Sequence, residues 1–100
     1  MSAFSHYSRV VVNPSRDLEF LRRMTDIAKA TRAETGCEAF VVLKSKTEAH
    51  TFCISSVWTT EAAWEAHKRT EHFNQQALFI ADGGVLSVVY AEEYYVANTI

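Results

Sequence analysis

Short apolar runs and one long helical repeat make up the first third of this chain. Residues 7–13 (YSRVVVN) are rich in β-branched side chains and predict a first strand. Asn13 and Pro14 then favour the start of a helix, because Asn caps helices and Pro suits the first helical position. Apolar side chains recur at helical spacing through residues 16–34, and Gly36 is predicted to end that helix. The apolar positions of the predicted helix are Leu18, Leu21, Met24, Ile27 and Ala28.

The middle of the chain predicts a β-hairpin. Residues 37–45 and 51–58 are two runs of β-branched and aromatic side chains joined by a polar turn. If the turn centres near Thr47, Val41 lies near Cys53. The two cysteines of the chain are then not opposite each other, which favours free thiols.

The second half of the chain predicts two helical segments and a final strand. Residues 59–61 offer hydroxyl groups and then an acid, which is typical of a helix start, and the helix is expected to run to about residue 69. Thr70 is a second candidate cap, which opens a segment reaching Leu78. Two glycines then mark a turn before the last strand, residues 85–96.

The predicted order is β-α-β-β-α-β, with the second helix broken in two. This is the order of the ferredoxin-like α+β fold, with a four-stranded antiparallel sheet and its helices on one face. The strands are apolar at consecutive positions, so both faces of the sheet are expected to be apolar. Because the helices cover only one face, we expect a homodimer in which two sheets face each other. The apolar runs are residues 10–12, 40–43 and 88–90.

Composition and charge exclude several classes of function. The chain has 100 residues and is expected to form one domain, residues 1–100. Its net charge is -2 and it has no basic stripe, which argues against nucleic acid as a partner. There is no apolar run near the length of a membrane span and no signal-peptide pattern, so a cytoplasmic protein without a membrane partner is expected.

The density of Trp and His side chains between residues 58 and 72 marks the candidate site. His67 is the candidate general base, because histidine titrates near neutral pH and can accept a phenolic proton. On a helix it lies on the same side as Trp64. The alternative is that His67 only bonds a backbone group near the helix break. His72 is either a substrate-binding residue or a structural residue between the two helical segments.

Aromatic side chains are the other candidates for substrate binding. Trp58, Trp64 and Phe73 can form the wall of a pocket for a flat aromatic ring, and packing in the core is the alternative for each. Tyr90, on the last strand, can supply a phenol to the same pocket.

Neither a metal nor a cofactor is predicted. His67 and His72 are five positions apart, which is poor spacing for two ligands on one helix, and no acid or cysteine is expected to complete a ligand set. The chain also has no glycine-rich phosphate loop.

Several of these residues match the pattern of a known family. Over roughly residues 7–95 the sequence resembles the antibiotic biosynthesis monooxygenase family, which implies a dimeric α+β barrel. That family includes cofactor-free oxygenases of quinols and anthrones, haem-degrading enzymes and an isomerase of a phosphorylated sugar. The residues that carry the resemblance are Glu34-Thr35-Gly36-Cys37, Phe40, Trp58, Ala63, His67 and Glu71-His72-Phe73.

Three positions depart from the family pattern. Ser56 stands where the family commonly has a Glu, which puts any role of that acid in doubt. His67 stands where the haem-degrading branch typically has a Trp, and Ala77 aligns near its haem-ligand His. The resemblance therefore disfavours haem degradation and leaves the quinol and anthrone branch open.

The resemblance and the candidate residues together imply a cofactor-independent monooxygenase. It would use dioxygen to oxidise an electron-rich phenol, quinol or anthrone, with His67 as the base. One alternative is a non-catalytic homodimer that binds a small hydrophobic ligand or serves as an interaction module. Another is an isomerase of a small polar metabolite, which would need several cationic groups, whereas Lys68 and Arg69 are expected to face solvent.

Overall fold

The computed structural model describes residues 3–98 and has the expected order of strands and helices. The second helix is broken in two, as predicted. A short 3-10 helix, Pro14–Arg16, precedes the first α-helix. The elements are β1 Phe4–Val12, α1 Asp17–Arg32, β2 Cys37–Lys44, β3 Thr51–Trp58, α2 Glu61–His67, α3 Glu71–Ala81 and β4 Val85–Tyr95.

The four strands form one antiparallel sheet in the order β2-β3-β1-β4. β1 and β3 are central, whereas β2 and β4 are the edges. This topology confirms the predicted ferredoxin-like α+β fold. None of the helices within residues 3–98 is long and apolar enough to cross a membrane.

Two threonines start the helices of the second half of the chain, as their sequence context predicts. The Thr60 hydroxyl accepts a hydrogen bond from the Ala63 backbone N–H at 3.2 Å, at the start of α2. The Thr70 hydroxyl accepts one from the Phe73 backbone N–H at 3.2 Å, at the start of α3. Each side chain satisfies a backbone donor that has no partner within its helix.

The buried face of α1 agrees with the predicted one at Met24, Ile27 and Ala28 and differs from it at Leu18 and Leu21. Phe20, Met24 and Ile27 are buried against the sheet. Leu18 and Leu21 are 61% and 42% exposed, so their assignment to the buried face is wrong. Both sets have helical spacing, and packing against the sheet favours the stripe that buries the large Phe20 ring.

The register of the β2–β3 hairpin also differs from the predicted one. Val41 pairs with Ser55 and not with Cys53, which is a difference of two residues. The loop is longer than predicted, because Ser45 Oγ accepts hydrogen bonds from two loop backbone N–H groups at 3.3 and 3.0 Å, and His50 takes a positive φ of 56°. A shift of two residues leaves every side chain on its expected face. Both cysteines are free thiols, as expected.

The sheet has two unlike faces. The helix-covered face packs against α1, α2 and α3, and the open face does not. Because directly paired residues of neighbouring strands share a face, the register assigns each side chain. The helix-covered face carries Phe4, His6, Ser8, Val10, Phe40, Ile54, Ser56 and Trp58. The open face carries Tyr7, Arg9, Val41, Leu43, Cys53, Ser55, Tyr90 and Tyr94.

Gly36 has the positive φ that its place after α1 predicts, a value of 87°. A Cβ atom at this position would lie 2.7 Å from Cβ of Ala63 and 3.0 Å from Oγ1 of Thr59. The turn after α1 therefore approaches the start of α2 more closely than any side chain at position 36 would allow.

Gly36→Ala should lower the free energy of unfolding by about 2–4 kcal/mol, because it adds a steric clash to the backbone strain. Gly83→Ala is the matched control: Gly83 has a similar φ of 92° with no atom within 4 Å of the added methyl group. We expect that control to cost about 1 kcal/mol. Urea unfolding followed by circular dichroism measures both, and equal losses would contradict a clash with α2.

Candidate active site

A single carboxylate oxygen joins two histidines at the junction of α2 and α3. Oε2 of Glu34 lies 2.6 Å from Nδ1 of His67 and 2.7 Å from Nε2 of His72. Glu34 is in the turn after α1, His67 is the last residue of α2, and His72 is the second residue of α3. We call these three residues the Glu34 cluster.

The break between α2 and α3 is what brings the two histidines together. On one continuous helix, residues five apart would point about 140° away from each other. Here the Thr70 hydroxyl donates to the carbonyl of His67 at 2.8 Å while it also caps α3. The chain therefore turns between the helices, and the centroids of the His67 and His72 rings lie 5.6 Å apart.

The Glu34 carboxylate fixes the tautomer of a neutral His67. An ionised carboxylate only accepts hydrogen bonds, so Nδ1 of His67 carries the proton and Nε2 keeps a lone pair. Burial lowers the pKa of His67, although the hydrogen bond to Glu34 raises it in part and His72 lowers it further. His67 is therefore neutral at neutral pH.

Aromatic rings enclose His67, whose exposed fraction is only 1%. The centroid of its ring lies 4.8 Å from that of Trp58, 5.3 Å from that of Phe73 and 5.4 Å from that of Trp64. Burial among these rings is the physical cause of its lowered pKa.

A cavity of about 330 Å³ lies between the helix-covered face and the α2–α3 pair. His67, Trp64 and Phe73, three of the residues predicted from sequence, line it. Apolar side chains form half of the remaining wall, and Lys68 and Glu93 are its charged residues. The other residues that line it are His6, Ser8, Val10, Phe40, Ile54, Ser56, Gln76, Ile80, Val88 and Ala91.

Trp58 and His72 do not line the cavity, and both lie next to His67, which does. Trp58 is completely buried, and its Nε1 donates to Oγ of Ser56 at 3.0 Å. His72 bonds to the same Glu34 oxygen as His67. Ser56, which replaces the Glu common in the family, thus orients Trp58 and also donates to the carbonyl of His6 at 3.1 Å.

Tyr90 lies on the other side of the sheet, so the expectation that it shares a pocket with His67 is wrong. It pairs with Arg9 on the open face, and its ring packs edge-on against Tyr7 at 5.7 Å between centroids. The face of Tyr90 could not be predicted from the residue pattern, because a register shift next to this position changes which face the side chain occupies.

The expectation that no acid accompanies the two histidines is also wrong. The donor atoms of Glu34, His67 and His72 lie within 4.8 Å of one another, and these are residue types that bind transition metals. The separations of 2.6 and 2.7 Å are those of charge-assisted hydrogen bonds, so Nδ1 of His67 and Nε2 of His72 are both satisfied by Oε2 of Glu34. If a metal ion bound here, these are the residues that would hold it.

Sequence reasoning missed the roles of Glu34 and His6. Glu34 appeared only as part of a family motif, because it lies 33 and 38 positions before the histidines that it binds. His6 was missed because it falls just before the predicted first strand. The observed β1 starts at Phe4, which carries His6 onto the helix-covered face.

The fold and the site define a class: a ferredoxin-like α+β domain with an aromatic, histidine-containing cavity between its sheet and its helices. The sequence profile named antibiotic biosynthesis monooxygenase matches residues 5–77. The chain therefore belongs to the antibiotic biosynthesis monooxygenase family. A search of curated proteins gives no match.

Solved structures confirm the fold at low sequence identity. A Pseudomonas aeruginosa protein is 20% identical with a TM-score of 0.86, and the match covers 98% of this chain and 97% of that one. A candidate antibiotic biosynthesis monooxygenase from Deinococcus radiodurans is 20% identical with a TM-score of 0.86, and the match covers 98% of this chain and 95% of that one. A similar candidate from Caulobacter crescentus is 19% identical with a TM-score of 0.81, and the match covers 99% of this chain and 92% of that one.

Glu34→Gln should lower the pKa of His67 still further, because it removes the negative charge that opposes the effect of burial. It should also cost about 1–2 kcal/mol of stability, since two charge-assisted hydrogen bonds become neutral ones. NMR titration of the histidine ring nitrogens and urea unfolding measure the two effects. Glu38→Gln is the control, because Glu38 is exposed on β2. An unchanged or raised pKa in Glu34→Gln would contradict the effect assigned to the Glu34 charge.

Proposed function

We propose that this chain is a cofactor-independent monooxygenase that oxidises an electron-rich phenol, quinol or anthrone with dioxygen. The observation that supports this most directly is the position of His67. It lines the cavity while its Nδ1 is bound to Glu34. Nε2, on the opposite side of the ring, is then the nitrogen available as a base, and it has no hydrogen-bond partner among residues 3–98.

The proposed reaction needs no external reductant. Nε2 of His67 takes the proton of the substrate hydroxyl group, which leaves an electron-rich anion. That anion passes an electron to dioxygen, and the two radicals combine at a ring carbon. One oxygen atom stays there as a carbonyl, and the other leaves as water with the two hydrogens lost by the substrate.

The cavity walls suit both reactants. Dioxygen is apolar and only weakly hydrated, so its transfer from water into an apolar site costs little free energy. A flat substrate can pack against the rings of Trp64, Phe73 and Phe40, which line the cavity. A bound ring that fills the cavity would displace water from His67, and this would favour proton transfer to the positioned base.

The isomerase alternative has less support. It calls for several cationic groups, and Lys68 is the only lysine or arginine that lines the cavity within residues 3–98. Its ammonium group already lies 3.0 Å from a carboxylate oxygen of Glu65.

Metal-stripped protein should consume dioxygen when it is offered hydroquinones, anthrones or naphthols. His67→Gln should lower kcat by about 100-fold or more, because general-base catalysis contributes that much, while its amide can still bond Glu34. His67→Ala should lower kcat at least as much. Dioxygen uptake in the presence of a chelator is the measurement.

His50→Gln is the matched control for this experiment. Nδ1 of His50 lies 2.7 Å from Oδ2 of Asp17, so it forms a similar pair with a carboxylate, but it does not line the cavity. Its uptake rate should equal that of the wild type. A wild-type rate of dioxygen uptake in His67→Gln would show that His67 is not the base. Absence of uptake across the panel would favour the non-catalytic ligand-binding alternative.

We also propose that the chain forms a homodimer through the open face. Large apolar side chains remain exposed there, notably Val41, Leu43 and Tyr94. A folded monomer rarely leaves so much apolar sheet surface in water, and the same surface on a second copy is complementary to it. Members of the family are generally dimers, which supports this proposal.

Light scattering coupled to size-exclusion chromatography should give about twice the monomer mass of 11.3 kDa. Leu43→Glu should shift the protein to monomer, because it buries a charge in the proposed interface. Leu18→Glu is the control, since Leu18 is also an exposed leucine but lies on α1, away from the open face. A monomeric wild type at micromolar concentration, or a dimeric Leu43→Glu, would contradict the proposal.

A further inference from the structure

His6 is a second imidazole in the cavity that holds His67. It lies on β1, lines the cavity, and stacks on Trp64 with 4.2 Å between ring centroids and 19° between planes. No group within residues 3–98 forms a hydrogen bond with either nitrogen of its ring. Stacking fixes the plane of the ring and occupies one face, so the polar atoms at its edge remain available to a ligand.

The surroundings of His6 keep its imidazole uncharged. Glu93 pairs with it across the β1–β4 ladder and also lines the cavity. Burial lowers the pKa of His6, Glu93 raises it in part, and Lys68 and His67 lower it. A neutral imidazole offers one donor and one acceptor, so it can bond either a hydroxyl or a carbonyl oxygen.

The imidazoles of His6 and His67 line the same cavity, and both pack near Trp64. The ring centroids of His6 and His67 lie 4.2 and 5.4 Å from the centroid of Trp64, so both are close to one cavity wall. Most of the remaining wall is apolar. A ring that places one oxygen at each imidazole would satisfy both polar groups and bury its carbons.

We propose that His6 is a substrate-positioning residue that binds a second oxygen of the ligand, so that the cavity selects flat rings with two oxygen functions over rings with one. The role given to His67 rests on the function proposed above, whereas selection by His6 requires only binding. A ring with a single hydroxyl group at His67 would leave His6 desolvated and without a partner. An unpaired polar group of this kind costs enough free energy to discriminate between two otherwise similar ligands.

Anaerobic calorimetry with 1,4-dihydroxynaphthalene and 1-naphthol tests this proposal, because exclusion of dioxygen separates binding from turnover. The wild type should bind the diol about tenfold more tightly than 1-naphthol. His6→Phe keeps an aromatic ring on Trp64 but has no nitrogen, and it should abolish that preference while 1-naphthol affinity stays within about twofold. His6→Gln restores a donor and an acceptor, so it should recover part of the preference.

Tyr7→Phe is the matched control, since Tyr7 is the next residue of β1 and lies on the open face. It should retain the wild-type preference. A wild type that binds both rings equally, or neither, overturns the proposal. Equal weakening of both rings by His6→Phe also overturns it, because that result indicates packing alone. Circular dichroism establishes that each variant is folded, and His6→Gln decides the question if His6→Phe does not fold.

The two proposals fail in different ways. Selectivity for the diol without any dioxygen uptake in air would overturn the oxygenase function and support the role of His6. Uptake that depends on His67, without selectivity that depends on His6, would do the reverse.

Discussion

The structure of the site depends on one carboxylate oxygen that two histidines share. Oε2 of Glu34 can receive both N–H groups only if three separate elements meet: the turn after α1, the end of α2 and the start of α3. The close approach of Gly36 to α2 permits that meeting, and the cap at Thr70 turns the chain between the helices. Because the cluster is mostly buried, loss of one partner would leave desolvated polar groups, and this penalty holds the three elements together.

The sheet then divides the molecule into two surfaces with different uses. The helix-covered face, together with α2 and α3, forms both the core and the cavity of about 330 Å³. The open face carries apolar and aromatic side chains that the helices cannot reach. One alternation of side chains along β1 therefore supplies the cavity with His6 and the opposite surface with Tyr7.

Local sequence signals predicted the elements well, because they depend on neighbouring residues. The threonine caps and the positive φ of Gly36 are decided within a few positions of the chain. The site depends on contacts that are distant in sequence, and these left no local signal. The contact of Glu34 with His67 spans 33 positions, and the face of Tyr90 depends on an irregularity in the β1–β4 ladder. Both are properties of packing and register, which a pattern of residue types does not determine.

The position of Glu34 behind His67 also bears on how a buried base could work. Burial alone would make the imidazole a poor proton acceptor, because the imidazolium ion that forms is costly in an apolar site. A carboxylate 2.6 Å from Nδ1 offsets that cost at the moment when Nε2 takes a proton. Glu34 does not line the cavity, so its charge stabilises the protonated base without meeting a substrate anion directly. His67 is therefore neutral in the free protein and can still hold a proton during a reaction. Neither a buried histidine without a carboxylate nor an exposed histidine would have both properties.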